Sequence, residues 1–389
     1  MKSKWGIRKL GDLCNISSSK RIFAREYCSK GVPFYRGKEI IEKHKGNAVS
    51  TELFISEERY AEIKEKNDVP RIGDILLSSV GTLGVPWLVD EEKFYFKDGN
   101  LTWLRVGEEL DNKFLYLWLC SPEAKQQIDA KCIGSTQKAI TIDALSKFDI
   151  CIPSIETQQK ISNLLFAIIN KIVLNKMIND NLQEQAQAIY SNMFIQNTSE
   201  QWKEGILFDV ANITMGQSPK GDTYNEEGIG TVFFQGRGEF GFRFPTRRLF
   251  TTDPKRMAQT NDVLMSVRAP VGDLNVAYEP CCIGRGLGAI RSKDNHQSFV
   301  LYTVFSLREK LDMFNGEGTV FGSINRDALN LMPIIIPSKE EMDRFEEIAA
   351  PMDVVIRNNY EEICRLEAIR DSLLSRLMSG ELDVSDLDL

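Results

Sequence analysis

The chain has 389 residues and carries 48 Lys and Arg against 55 Asp and Glu, which gives a formal net charge of −7. This length and an apolar fraction of 42% are typical of a globular protein with two or three domains. Two histidines leave almost no material for a Ser-His-Asp triad or a His-rich metal site, and eight cysteines without CxxC spacing predict no disulfide or metal framework. We find neither a run of about 18 apolar residues nor a signal-peptide core, which favours a cytoplasmic protein without a membrane segment.

The opening block of the chain returns in its second half, at an offset of 197 residues: Trp5, Leu10, Asp12 and Ile16 recur as Trp202, Leu207, Asp209 and Ile213. Later blocks recur in the same order with other offsets: Phe34–Gly37 as Phe233–Gly236, Gly73–Ser78 as Asn261–Ser266, Leu101 and Arg105 as Leu287 and Arg291, and Ile140, Leu145 and Pro153 as Ile324, Leu329 and Pro337. The offset is constant inside blocks and changes between them. This pattern indicates two copies of one fold whose loops differ in length.

Each copy has a first part of about 150 residues with a mixed pattern of short strands and helices. Asp74–Ser79 and Phe148–Pro153 are predicted as strands bounded by Gly or Pro, and Phe114–Leu119 begins a helix. Gly284–Gly288 is interpreted as a turn, because it lacks the further glycine of a dinucleotide-binding fingerprint, and the chain has no P-loop. The sequence therefore predicts an α+β fold in both copies.

A long helix follows each first part, and its apolar residues have the 4-3 spacing of a coiled-coil seam. Both helices place an asparagine at the same step, which typically fixes helix register at some cost in stability. We predict that the two helices pair with each other and, at about 60 Å, separate two globular heads; the alternative is that each packs on its own domain. The predicted seam consists of Ile161, Leu165, Ile168, Ile172, Asn175, Leu182, Ile189, Phe345, Met352, Ile356, Asn359, Ile363, Leu366, Leu373 and Leu377.

Charge is distributed unevenly along the chain. Residues 338–389 carry 6 basic and 14 acidic side chains, so the negative charge lies mainly in the last helix and tail. Residues 20–45 hold eight basic side chains against three acidic ones, and residues 236–256 hold six against two. Two basic runs at equivalent places of a repeat, interleaved with aromatic and amide residues, favour contacts with DNA phosphates and bases.

With these blocks in place, the chain resembles the specificity (S) subunit of type I restriction–modification systems over nearly its whole length. The resemblance rests on the W-x4-L-x-D opening, the Gly73–Gly81 block, the Gly134-x-x-Gln137-x-x-Ile140 segment with an Ile-Pro ending at Pro153, and the long helix, all in two copies. The second copy departs from the pattern at Asn261 and at Gly318–Phe321.

The resemblance implies two similar target recognition domains separated by an antiparallel coiled coil. It implies target recognition domains at 1–153 and 201–337, long helices at 154–196 and 338–380, and an acidic tail at 381–389. The implied partners are double-stranded DNA, two methyltransferase (M) subunits and restriction–translocase (R) subunits. The chain itself would be non-catalytic, with S-adenosylmethionine, ATP and Mg²⁺ bound by the partner subunits, and unlike heads would read a bipartite, asymmetric site.

The candidates for DNA contact are basic, amide and hydroxyl side chains in equivalent loops, because Arg pairs well with guanine and Gln with adenine. In the first copy they are Lys20, Arg21, Arg36, Lys38, Ser79, Thr82, Gln137 and Lys138. In the second copy they are Gln217, Ser218, Lys220, Gln235, Arg237, Arg243, Arg247, Arg248, Arg268 and Arg285.

Two other classes of function stay open on the residues alone. Asp74, Glu91 and Lys93 have a spacing compatible with a metal-dependent nuclease core, although the second copy has Glu279-Pro-Cys281 at the corresponding place. A coiled-coil scaffold that binds no DNA would explain the long helices and leave the basic loops without a role. Salt-sensitive DNA binding separates the scaffold from the DNA-reading subunit, and metal-dependent cleavage separates the nuclease from it.

Overall fold

The computed structural model describes residues 5–47, 49–134, 138–316 and 322–384. The chain divides into two compact units. Unit 1 comprises the described residues up to Asn175 and from Glu362 onward, and unit 2 comprises those from Lys176 to Glu361. Each unit thus contains one predicted recognition domain, hereafter a head, and one half of each long helix, so the boundary of the units cuts through the helices.

The first head consists of short strands and helices. Its strands are β1 (Gly6–Lys9), β2 (Cys14–Ser17), β3 (Tyr27–Cys28), β4 (Val32–Tyr35), β5 (Phe54–Ile55), β6 (Ile75–Ser78), β7 (Pro86–Leu88), β8 (Tyr95–Phe96), β9 (Leu101–Val106) and β10 (Asp149–Ile152). Its helices are α1 (Leu10–Leu13), α2 (Gly37–His44), α3 (Glu57–Lys66), α4 (Asn112–Cys120), α5 (Pro122–Lys131) and α6 (Ile142–Ser146). The long helix α7 (Ile155–Ser191) follows and ends in a π turn, Asn192–Gln196.

The second head has a similar order of elements, but its described residues have a short 3-10 turn in place of α2, no helix in place of α3, and one additional short strand. Its strands are β11 (Lys203–Ile206), β12 (Ala211–Met215), β13 (Tyr224–Asn225), β14 (Thr231–Phe234), β15 (Leu249–Thr251), β16 (Met257–Ala258), β17 (Val263–Ser266), β18 (Leu274–Val276), β19 (Cys281–Ile283), β20 (Leu287–Ser292) and β21 (Pro333–Ile336). Its helices are α8 (Leu207–Val210), α9 (Gln297–Ser306), α10 (Arg308–Asp312) and α11 (Arg326–Asn330), and the long helix α12 (Lys339–Met378) follows.

The sheets of the two heads correspond strand by strand, except that β16 has no counterpart among the described residues of the first head. A four-stranded antiparallel sheet has the order β2-β9-β6-β7 in the first head and β12-β20-β17-β18 in the second. A second sheet has the order β3-β5-β4-β8 and β13-β15-β14-β19-β16, and in it β4 runs parallel to β8 as β14 does to β19. A two-stranded pair, β1-β10 or β11-β21, joins the start of each head to its end.

The repeated Gly-Asp block has a structural role in both heads. Asp74 accepts hydrogen bonds from the Trp103 indole at 2.8 Å and from two nitrogens of Arg105 at 2.8 and 3.0 Å. In the second head Arg291 donates to Asp262 at 2.7 and 2.8 Å. The residue before each Asp has a positive φ, 88° at Gly73 and 70° at Asn261, and Asn is among the few non-glycine residues that tolerate this region. The departure at Asn261 therefore preserves the turn.

Within each unit the segments of α7 and α12 run antiparallel. In unit 2 the Asn359 side-chain amide donates to Asn179 at 2.8 Å, while Tyr190, farther along α7, packs edge-to-face on Phe345, which is earlier in α12. In unit 1 Asn175 donates to Glu362 at 2.8 Å. Asn359 thus meets Asn179 rather than Asn175, as the antiparallel direction requires.

The predicted seam residues all lie on the covered faces of the two helices. Eight are buried, namely Ile161, Leu165, Ile172, Asn175, Phe345, Ile356, Ile363 and Leu377. The others are half-buried, namely Ile168, Leu182, Ile189, Met352, Asn359, Leu366 and Leu373. Apolar contact at this spacing removes from water the side chains that would otherwise make these helices insoluble.

Helix α7 is strongly apolar although the sequence contains no uninterrupted apolar run of about 18 residues. By length and composition alone the helical segment Ile155–Gln196 could cross a membrane, with a mean hydropathy of 1.4 over an 18-residue window that is 28% buried. The same segment places polar residues on its covered face, where Gln158, Ser162, Asn175 and Asn179 are buried and make hydrogen bonds within the protein. Its apolar side chains are thus divided between the seam and an exposed face.

Candidate DNA interface

Four loops of the second head meet at one end of its sheets. The backbone N–H of Gln217 donates to the Ile283 carbonyl at 2.9 Å, and the backbone N–H of Arg285 donates to the Ser218 hydroxyl at 3.3 Å. The Gln235 carbonyl accepts from Gly286 at 3.2 Å, and the Gly286 carbonyl accepts from Val267 at 2.9 Å. We call these loops, residues 216–220, 235–237, 267–268 and 284–286, the second loop platform. Backbone hydrogen bonds therefore assemble predicted residues that are up to 68 positions apart in the sequence.

Glycines allow these loops to approach closely. A Cβ atom on Gly216 would lie 2.1 Å from the Gly284 carbonyl oxygen, and one on Gly286 would lie 2.8 Å from the Gln235 carbonyl oxygen. No larger residue fits at either place without moving the backbone. The glycines hold the backbones together, and the exposed side chains left on the platform are Gln217, Lys220, Gln235, Arg237, Arg268 and Arg285.

Equivalent loops of the first head make the first loop platform, residues 18–21, 36–38, 79–82 and 97–100. The Tyr95 hydroxyl accepts from the Lys20 amide at 2.8 Å, and the Lys97 amide donates to the Tyr35 carbonyl at 2.9 Å. The backbone N–H of Ser79 donates to the backbone carbonyl of Asn100 at 2.9 Å. The Gly81 amide donates to the Lys138 carbonyl at 3.0 Å, which brings Lys138 to the same end. The exposed side chains grouped around the first loop platform are therefore Lys20, Arg21, Lys38, Thr82 and Lys138.

Several predicted contact residues carry carboxylate partners in the structure. Arg36 donates to Glu39 at 2.9 Å, and this hydrogen bond raises the pKa of Arg36; Lys38 lies 3.8 Å from Glu42. Arg237 pairs with Asp273. Arg248 pairs with Glu239 at 2.5 Å and Glu226 at 3.4 Å. These cations can reach a phosphate only by exchanging one anionic partner for another, which lowers the expected gain in affinity.

Two predicted contact residues have buried side chains in the structure. Arg243 is 4% exposed and pairs with Asp353 of α12 at 3.2 Å, so its charge serves the packing of the head on that helix. Ser79 is 3% exposed, and its hydroxyl lies 2.5 Å from the Thr102 hydroxyl and 3.1 Å from the Leu77 carbonyl. Neither side chain lies on the surface of its head.

Two further predicted residues, Arg247 and Arg248, lie outside the loop platforms. Arg247 pairs with Glu279 at 2.5 Å and lies over the ring of Tyr278, whose hydroxyl donates to Glu361 of α12 at 2.8 Å. Arg247 is therefore on the side of the head that adjoins the long helix. Gln137 lies outside the described residues.

Two of the three residues of the nuclease alternative are engaged elsewhere, and the third, Glu91, is exposed. The Asp74 carboxylate is buried and bonded to Trp103 and Arg105, while Lys93 pairs with Glu57. Within the described ranges no group of three or more His, Cys, Asp or Glu residues could hold a metal ion. No observation in the described part of the chain favours a nuclease core.

The sequence search missed the turn at residues 97–100. Phe96 pairs with Tyr35 as Ile283 pairs with Phe234, so this turn is the counterpart of the one that holds Arg285. Its polar residues, Lys97, Asp98 and Asn100, lie in the first loop platform. Extending the repeat from Phe96 to Ile283, an offset of 187, would have found it, but neither residue is polar or part of a recognisable motif.

Comparison with known proteins places this architecture in a family. A family model for the type I restriction modification DNA specificity domain matches residues 2–184 and 199–368. The chain is 27% identical to the specificity subunit assigned to the type I restriction enzyme MjaX of Methanocaldococcus jannaschii, over 98% of this chain and 94% of that relative. It is 22% identical to the HindI type I restriction enzyme specificity subunit of Haemophilus influenzae, over 83% of this chain and 91% of that one.

A solved structure has the same fold. The S subunit of a type I restriction–modification system from M. genitalium aligns with 96% of each chain at a TM-score of 0.64 and 16% identity. The predicted α+β fold with two similar domains and two long helices is thereby confirmed. Because the family model covers most of both copies, the chain belongs to the family of type I restriction–modification DNA specificity subunits.

Proposed function

We propose that this protein reads a bipartite, asymmetric DNA site, with one half-site read by each loop platform. The observation that carries the proposal is that the two platforms have the same backbone framework but different exposed side chains. Gln217 and Gln235 are exposed in the second platform, where the first has Lys20 and the ion-paired Arg36. Identical readers would give a palindrome, and unlike readers give unlike half-sites.

Local charge supplies the affinity for DNA in this proposal. The net charge of −7 repels a polyanion, so the attraction depends on exposed cations that have no carboxylate partner among the described residues, such as Lys20, Lys138 and Arg268. Such contacts release counterions, and binding should weaken linearly with the logarithm of salt concentration.

We infer that methyltransferase subunits cover the exposed apolar faces of the long helices. Val173, Leu174 and Ile369 are more than 40% exposed in unit 1, as are Met177, Ile178, Ile348, Val354 and Val355 in unit 2. Leu164 and Ile169, which also lie off the seam, are covered by the core of the first head. Exposed apolar surface of this extent on a helix is typical of a protein–protein interface.

In this proposal the chain has no active site of its own. Bound methyltransferase subunits supply S-adenosylmethionine chemistry, and restriction–translocase subunits supply ATP- and Mg²⁺-dependent chemistry. The complex acts in the cytoplasm, where the chromosome is accessible. Replacement of Met177 and Val354 by Glu should abolish co-purification with the methyltransferase subunit, whereas Ile195→Glu, on an exposed residue of the π turn, is the matched control.

Mapping modified bases tests the reading of DNA. The chain is co-expressed with its methyltransferase subunit in a host without other modification, and methylated bases are sequenced. We expect two different half-sites separated by unspecified bases. A continuous or palindromic motif, or no motif at all, would contradict the proposal.

Two alterations separate the parts of the proposed site. Exchange of residues 201–337 for another recognition domain should change one half-site only. Insertion of residues at the exposed segment Asn197–Ser199, which follows the π turn, should change the tolerated gap and leave both half-sites unchanged. An insertion that altered half-site bases would show that spacing and base reading are not separate properties.

A further inference from the structure

The turn after the parallel strand differs between the heads in both length and charge. In the first head four residues, Lys97–Asn100, connect β8 to β9, which begins at Leu101. In the second head three residues, Gly284–Gly286, connect β19 to β20, which begins at Leu287. The flanking strands pair in the same register, so the difference is confined to the turn. Lys97 and Asn100 make the main-chain hydrogen bonds that Gly284 and Gly286 make, so the acidic Asp98 and Gly99 together occupy the place that Arg285 has in the other head.

Both turns are fixed at the centre of their platforms. The Gly284 amide donates to the Phe234 carbonyl at 2.8 Å, and the Gly286 carbonyl accepts from Val267 at 2.9 Å. In the first head the backbone N–H of Lys97 donates to the Tyr35 carbonyl, and the backbone carbonyl of Asn100 accepts from the backbone N–H of Ser79, each at 2.9 Å. Main-chain bonds on both sides of a short turn hold its middle side chain at a defined place, which is what discrimination between bases requires.

The side chains in the middle of the two turns, Arg285 and Asp98, differ in the hydrogen bonds that they can donate or accept. Arg285 is exposed and, among the described residues, has no carboxylate partner, unlike Arg237 and Arg248 of the same head. An arginine with free donors can bind O6 and N7 of guanine in the major groove, whereas a carboxylate can accept from N4 of cytosine. Asp98 is 27% exposed and lies 3.7 Å from Arg21, a cation that offsets repulsion between this carboxylate and DNA phosphates.

We propose that these turns determine the base at one position of each half-site: Arg285 selects a guanine in the half-site of the second head, and Asp98 selects a cytosine in that of the first. The inference rests on the proposed function and names the residues that make the half-sites unlike. Arg268 and Lys138 then position the DNA through phosphates, because both are exposed cations beside the turns and neither has a carboxylate partner among the described residues.

The test compares methylation motifs made by the full chain in complex with its methyltransferase subunit. Arg285→Gln should remove the guanine preference at one position of one half-site, with discrimination falling on the order of 10- to 100-fold, and leave the other half-site unchanged. Asp98→Asn should relax one position of the other half-site only. Arg71→Gln is the matched control, because Arg71 is exposed but lies before β6, at the end of that strand opposite to Ser79.

The result that overturns the inference is distinct from failure of the proposed function. If the wild-type complex gives a bipartite motif and Arg285→Gln gives the same motif, or lowers methylation equally at every site, Arg285 is not a base reader. A salt titration of DNA binding supports that decision. Loss of a phosphate contact should lower the slope of log affinity against log salt by about one for all sequences, whereas loss of base reading should weaken the specific site selectively. Absence of a bipartite motif in the wild type would instead reject the proposed function.

Discussion

The two units use equivalent helices, α4 and α9, to join their heads to the long helices, but the joining chemistry differs. In unit 1 the Asp111 carboxylate accepts from the Phe114 amide at 2.8 Å and from the Ser162 hydroxyl of α7 at 2.7 Å. In unit 2 the Glu346 carboxylate of α12 accepts from the Ser298 and Phe299 amides at 3.1 and 3.2 Å. The same helix end receives a carboxylate from the head in one unit and from the long helix in the other.

A second difference lies one turn farther along these helices. In unit 1 the apolar Leu117 and Ile169 belong to one hydrophobic core. At the equivalent places of unit 2, Tyr302 donates to Asp353 at 3.1 Å, and Arg243 pairs with the same carboxylate. Unit 2 is therefore joined to its long helix partly by buried charge, whose stability depends on keeping every partner. A repeat can conserve where two elements meet and still change the interaction between them.

The largest expected effect concerns the buried aspartate that both units share, Asp74 in the first head and Asp262 in the second. Asp74→Ala and Asp262→Ala should each cost about 3 kcal/mol, because each removes a buried carboxylate that accepts several hydrogen bonds, including those of an arginine. Local stability is measured by hydrogen exchange in β9 and β20. Asp68→Ala is the control, since Asp68 is half-exposed and pairs with the same Arg105. A loss in only one unit would mean that the shared block supports the two heads differently.

The charged junction of unit 2 is the next largest effect. Asp353→Asn should cost about 2–3 kcal/mol, because Arg243 is 4% exposed and loses its counter-charge. Arg243→Met with Tyr302→Leu and Asp353→Ile converts this junction to the apolar type of unit 1 and should restore stability to within about 1 kcal/mol of the wild type. Protection of α9 amides measures both. A triple variant less stable than Asp353→Asn would mean that the junction requires charge.

A smaller effect depends on pH. Burial raises the pKa of Glu346, so between its ordinary and raised values the folded state holds a proton that the unfolded state has released. The contribution of Glu346 to stability therefore decreases as pH rises through this window. Relative to Glu346→Gln, the wild type should gain stability as pH falls from 7 into the ordinary titration range of a glutamate, measured by urea unfolding. Glu347→Gln controls for loss of a surface charge, and a pH-independent difference would contradict this prediction.

The smallest effect concerns the seam. Replacement of Asn179 and Asn359 together by Leu removes a buried amide pair and should raise the stability of unit 2 by about 1 kcal/mol, at the expense of a fixed helix register. Urea unfolding measures the gain, and cysteine cross-linking across the seam measures register. A double variant with lower stability and unchanged register would show that the asparagines contribute to packing rather than to specificity.

The elements that could be predicted from the sequence are those set by local pattern. The expected helix at Phe114 lies in α4, the expected strands at Asp74 and Phe148 contain β6 and β10, and the helix after Pro153 begins at Ile155. These succeed because the period of apolar residues reflects which face of an element is covered. The 4-3 spacing likewise found residues that are all buried or half-buried, because spacing along a helix determines which side chains share a face.

The candidate site was less accessible from sequence. Arginine type and loop position gave no means to distinguish buried Arg243 from exposed Arg285, because the difference is the presence of Asp353, 110 residues away from Arg243. The turn at 97–100 was overlooked because its significance comes from strand pairing with β4 rather than from its own residues.

The sequence by itself determined that this protein contains one fold twice, which residues form the covered stripe of each long helix, and where negative charge accumulates. Those properties follow from order, spacing and composition, which are read along the chain. Only the tertiary structure decided which loops form one platform, which arginines have N–H donors without a carboxylate partner, and which carboxylates pair with buried groups inside the protein. These depend on contacts between segments far apart in the chain, and the energy of a charged side chain is set by the neighbours that folding brings to it.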